Sequence, residues 1–88
     1  MSQIHVFDTF ATSQSGTIMH FDVVTPEKNA ETALLYAREW LNSVGEGNAQ
    51  LTPENCAYCH SEASAPPPMQ EEIACKGYAI YKLEGCPR

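Results

Sequence analysis

"QIHVFDTFATSQSGTIMHFDVV", residues 3–24, is the stretch whose reading decides the fold. In its first part, residues 3–10, Ile4, Val6 and Phe10 alternate with His5, Phe7 and Thr9. That period of two is the one side chains adopt on a pleated strand. Residues 17–24, "TIMHFDVV", are a second run rich in β-branched and aromatic residues. The polar link "ATSQSG" ends in glycine, so the two runs are expected to form an antiparallel hairpin. Pairing Phe10 with Thr17 sets Val6 opposite Phe21 and Ile4 opposite Val23. One face then carries Ile4, Val6, Phe10, Met19, Phe21 and Val23, with Asp8 as its one charged member. The other sets His5 against Asp22 and Phe7 against His20. A one-residue slip would put the apolar set against His20 and Asp22, so the first register is expected.

Working outward, "TPEKNAETALLYAREWLNSVG", residues 25–45, predicts a long helix. Thr25 is placed to cap it and Pro26 suits the first helical position. Ala30, Ala33, Leu34, Ala37, Trp40, Leu41 and Val44 recur at helical spacing, and Gly45 ends the run. This stripe is expected to cover the hairpin, with Trp40 and Tyr36 as packing residues. "AQL" (49–51) offers a short strand. In "TPENCAYCH" (52–60), Thr52 and Pro53 again form a helix-start pattern, so a short helix is expected to carry the cysteines. "SEASAPPP" breaks it, and "PMQEEIACKG" (68–77) predicts another short helix, with a Glu72–Lys76 pair and Gly77 as its stop. "YAIYKLEG" (78–85) reads as a final strand. The expected architecture over residues 1–88 is one α+β domain: a small two-layer fold with an antiparallel hairpin and C-terminal strand, covered by one long and two short helices.

Composition bounds the function. The chain has 88 residues, 43% of them hydrophobic and 18% charged, which are globular values. Eleven acidic residues against five basic ones give a net charge of −6, and the basic residues are scattered. Phosphate backbones need concentrated positive charge, so no nucleic-acid partner is expected, and anionic membrane surfaces are disfavoured. The N-terminal stretch has neither a basic region nor an apolar core, and no run approaches the roughly eighteen apolar residues of a spanning helix. A cytoplasmic location is expected, where thiols stay reduced and the four cysteines need not form a disulfide framework.

The chemistry concentrates in "NCAYCHSE", residues 55–62, which contains C-x-x-C-H as Cys56, Cys59 and His60. Haem attachment matches the string, with His60 as axial ligand, but it takes place outside the cytoplasm and suits a helical wrap. Zinc fits better: on a helix, Cys56 lies at i,i+3 from Cys59 and i,i+4 from His60. Cys59 and His60 would be about 100° apart around that helix, so joint binding needs some distortion. Further ligands would come from Cys75, Cys86, His5 or His20. A thiol redox pair of Cys56 and Cys59 is the alternative, opposed by Glu54 and Glu62, whose charges favour the protonated thiol. Plain burial of small apolar cysteines is the structural reading. A second constellation is His5, His20 and Asp22, expected on the face away from the helix. There a carboxylate can orient an imidazole for base work or join it in holding a metal.

"IHVFDTF", "MHFDVVT", "AREWLNSVG", "NCAYCHSE" and "GYAIYKLEGC" follow one another in this order over nearly the whole chain. Together they resemble the small bacterial family called domain of unknown function 2024. The resemblance implies a compact α+β fold and draws attention to Asp8, His20, Asp22, Cys56, Cys59, His60 and Cys86 without assigning them roles. The functional expectation is a non-enzymatic domain of unknown function whose Cys56, Cys59 and His60 cluster, joined by Cys86, is either a structural metal (zinc) site or a reduced thiol cluster. The alternatives are a small thiol–disulfide redox protein, or an interaction module or homodimer that uses a spare sheet face or edge.

Overall fold

The structure is a computed structural model and describes residues 3–86. In chain order the elements are β1 (Ile4–Thr12), β2 (Ile18–Thr25), α1 (Ala30–Ser43), a 3-10 turn (Pro53–Asn55), β3 (Cys56–Glu62), α2 (Pro67–Lys76) and β4 (Ala79–Glu84). The four strands form one antiparallel sheet in the order β3-β1-β2-β4. The hairpin, the long helix, the helix before Gly77 and the last strand stand where the sequence put them.

The hairpin register differs from the expected one. Phe10 pairs with His20, Asp8 with Asp22 and His5 with Thr25, a shift of three residues. An odd shift exchanges the faces of one strand relative to the other. The loop sets this register: the Ser13 amide donates to Thr17 O at 2.8 Å and Gly16 N to Ser13 O at 3.0 Å. Gly16 has φ 93°, which is the left-handed residue that closes a three-residue hairpin loop. One face of the hairpin thus carries Phe7, Thr9, Ala11, Met19, Phe21 and Val23, and the opposite face carries Ile4, Val6, Asp8, Phe10, His20, Asp22 and Val24.

Both faces are covered, in place of the expected two layers. Ala33, Ala37, Trp40 and Leu41 of α1 pack on Phe7, Ala11, Met19, Phe21 and Val23, with the Phe21 and Trp40 rings 4.7 Å apart. Burying each large side chain here contributes roughly 1.5–3 kcal/mol. Met69 and Ile73 of α2 pack on the second cluster, Ile4, Val6, Val24, Ala65 and Ala79. Two apolar clusters explain why alternation alone could not select the register: each face has its own cover.

Asn29, not Thr25, caps α1, accepting from the Thr32 amide at 3.1 Å. Thr25 is occupied as the last residue of β2. Arg38 on α1 donates to the carbonyls of Gly47 and Ala49 and holds the following loop. That loop brings Gln50 to a single bridge with Thr12, where a short strand was expected.

The largest correction falls on the cysteines. The helix-start pattern at Thr52 and Pro53 makes one 3-10 turn only, and Cys56–Glu62 is a strand on the outer side of β1. The open edge of β1 supplies a ladder of hydrogen bonds that outweighs the weak local helix signal.

Candidate functional site

Asp8 on β1 and Asp22 on β2 face each other directly across the ladder, two residues in from where α2 covers the sheet. His20, one pleat along β2, donates from Nε2 to Asp8 Oδ1 at 2.5 Å. The three side chains each offer one ligand atom within 4.8 Å of the other two, and all three are half-buried. Among the described residues, this is the group of three metal-ligating side chains that the fold brings together. Phe10 lies flat on the His20 ring, with centroids 4.1 Å apart, and fixes the plane of the imidazole.

Like charges directly opposite on adjacent strands disfavour each other. Asp22 shows the consequence: burial, then the Asp8 charge and a hydrogen bond to Asp8, hold its carboxyl above the usual 3.8, while the His20 and His60 imidazoles pull the other way. The protonated form of Asp22 is therefore favoured more than in a free carboxyl.

The surroundings are open. A cleft of about 220 Å³ runs beside Asp22, between Val6, His60, Met69 and Tyr81. This is below the few hundred cubic ångströms a drug-sized ligand needs, and it suits an ion with its waters or a very small molecule. Phe10, Ile18 and Tyr81, exposed by 39%, 60% and 52%, stand on the same face around the carboxylates. A larger hollow of about 540 Å³ beside α1 is lined by Ala30, Leu34, Leu35 and Pro53, with Glu31 as its charged member, and gathers no comparable set of polar groups.

The expected candidates sort differently. His5 leaves the secondary cluster: it is buried on the α1 face, with Nδ1 2.6 Å from Ser61 Oγ. Asp8 takes its place beside His20 and Asp22. The loop length carried the signal for this, since closing residues 14–16 as a three-residue hairpin loop puts Asp8 opposite Asp22.

Cys56, Cys59, His60 and Cys86 do not converge. Cys56 is buried against the α1 face and its sulfur accepts from the Thr9 hydroxyl at 3.4 Å. Burial pushes its thiol up, the Thr9 hydroxyl opposes this, and the Asp8 charge adds to it. The Cys86 sulfur donates to the His20 carbonyl on β2, so β1 lies between it and β3, and burial pushes this thiol up too. Cys56 and Cys59 are i,i+3 on a strand, hence roughly 10 Å apart along the backbone, well beyond the 4.4–6.8 Å Cα separation of a disulfide. All four cysteines are free thiols.

Cys59 and His60 stay together at the exposed edge. A bulge in β3 pairs Val6 with His60 and Phe7 with Tyr58, leaving Cys59 as the extra residue. His60 Nδ1 lies 3.2 Å from the Cys59 sulfur, and Nε2 lies 2.9 Å from Glu62 Oε2. No helix of the described residues is long and apolar enough to cross a membrane.

The family described as Domain of unknown function (DUF2024) matches residues 2–83. The NMR structure of protein NE1680 from Nitrosomonas europaea is similar throughout, with a TM-score of 0.84 and 48% sequence identity, covering 96% of this chain and 98% of that one. No curated protein matches the chain.

Proposed function

Since the chain belongs to the DUF2024 family, a family of unknown function whose fold does not by itself name an activity, we propose from the site that it is a divalent-metal-binding domain with Asp8, His20 and Asp22 as ligands. The observation that carries this reading is the convergence of two carboxylates and one imidazole within 4.8 Å on a half-buried sheet face. Two ionised carboxylates and a neutral imidazole match the charge of a divalent ion, and an ion between them offsets the repulsion between Asp8 and Asp22. Oxygen and imidazole donors suit zinc, manganese or iron(II) better than a soft thiolate-seeking ion. Three protein ligands leave coordination positions free toward the cleft, unlike a closed structural site of four. The reading is a binding function, with water or a small anion filling the remaining positions.

Zinc titration of the whole protein, followed by calorimetry at pH 7, tests it. One zinc per chain is expected, with affinity falling at least about tenfold in Asp8→Asn or His20→Ala and uptake of zinc accompanied by proton release. Unchanged affinity in the Asp8→Asn, Asp22→Asn double variant overturns the site, and loss of binding in Cys59→Ser with those variants intact would move the metal to the β3 edge.

A further inference from the structure

The Cys59, His60 and Glu62 side chains form a line along the exposed edge of β3, where His60 and Glu62 line the cleft that Asp22 also borders. Neighbouring residues on a regular strand point to opposite faces. The bulge at Cys59 breaks that alternation, and it is what allows the Cys59 sulfur and the next residue's imidazole to meet at 3.2 Å. A carboxylate only accepts hydrogen bonds, so the 2.9 Å contact with Glu62 places the ring proton on Nε2. Nδ1 is thereby left with its lone pair toward the sulfur. A nucleophile, a base within reach of it, and a third group orienting the base are the elements of an activated thiol. Asp22 on β2 lines the same cleft as this ring and, with Glu62, sets negative charge near it.

We infer that Cys59 is a reactive thiol, activated by His60, that exchanges with small-molecule disulfides to carry a mixed disulfide. In the step, the Cys59 proton passes to His60 Nδ1 and the thiolate attacks one sulfur of the disulfide. The Cys59–sulfur bond forms as the disulfide bond breaks, and the departing thiolate takes the proton back from His60. Cys59 is oxidised and half of the disulfide is reduced, so electrons balance with the disulfide as sole oxidant. Cys56 does not resolve the adduct, because it is buried on the opposite side of the sheet and three residues away along an extended strand. The mixed disulfide is therefore the end state, reversed by a free small thiol.

The test is oxidised glutathione added to the full chain in chelator, with the adduct at each cysteine followed by peptide mass mapping between pH 6 and 9. Cys75, also exposed, is the internal reference. At pH 7 Cys59 is expected to react at least about tenfold faster than Cys75, and His60→Ala is expected to bring it to the Cys75 rate. Glu62→Gln should lie between. In wild type the Cys59 rate should persist below pH 8, whereas in His60→Ala it should fall about tenfold per pH unit there. Equal rates at Cys59 and Cys75, or a Cys59 rate that His60→Ala leaves unchanged, overturns the inference. Chelator keeps the outcome independent of metal binding at Asp8, His20 and Asp22.

Discussion

At the scale of single residues, Asp22 carries the electrostatic tension of the open sheet face. Its carboxyl titrates above the ordinary 3.8 because burial and Asp8 disfavour its charge. A group whose pKa is higher folded than unfolded contributes stability that is complete below the unfolded value and lost as pH rises through the folded one. At neutral pH, ionised Asp22 thus works against folding when no cation is present. Asp22→Asn can donate to the Asp8 carboxylate and removes the charge. In chelator its urea midpoint at pH 7 should exceed that of wild type, and the gain should vanish as the pH falls below 4. A variant less stable than wild type at pH 7 would contradict this account. Residue types grouped His20 and Asp22 with His5, whereas Asp8 looked like a misplaced charge in an apolar row until the register was known.

At the scale of elements, the strands show how turns fix registers that side-chain alternation leaves open. Gly16 closes the hairpin and so decides which face of β1 meets α1. Gly85 does comparable work after β4. Its φ is 69°, and a Cβ there would lie 2.2 Å from the Ile18 carbonyl oxygen. Gly85→Ala is expected to cost about 1–3 kcal/mol in denaturant melts, from the left-handed backbone and the clash together. A cost below a few tenths would mean that the β4 end is free to move away from β2. The cysteine-bearing element is where local reading failed. Thr52 and Pro53 are a sound helix start, and they do begin a turn. From Cys56 onward the backbone is governed by the unsatisfied edge of β1, which no local window of sequence contains.

At the scale of the whole molecule, the sheet divides its support unequally between its two covers. Leu41 of α1 is fully buried in the larger cluster, whereas Ile73 of α2 is half-buried over the smaller one. A domain of this length has a stability of roughly 4–13 kcal/mol. Leu41→Ala should remove about 3–4 kcal/mol of it, and Ile73→Ala less than half as much, because the exposed flank of α2 can settle into the space. Equal losses would show that α2 is as deeply keyed into the fold as α1. The shorter cover also has a functional consequence. It ends before Asp8, His20 and Asp22, and leaves them open to solvent among Phe10, Ile18 and Tyr81.

The sequence by itself determined what depends on neighbours in the chain: the α+β class, the hairpin, the apolar stripe of α1, the glycine stops and the last strand. Each rests on periodicity or backbone chemistry that a short window contains. Only the tertiary structure decided the register of β1 on β2, the strand character of Cys56–Glu62 and the dispersal of the cysteines. These depend on which distant surface offers a cover or an unpaired edge. The candidate site moved with them, because a cross-strand cluster exists only at one register, and a three-residue shift exchanged His5 for Asp8.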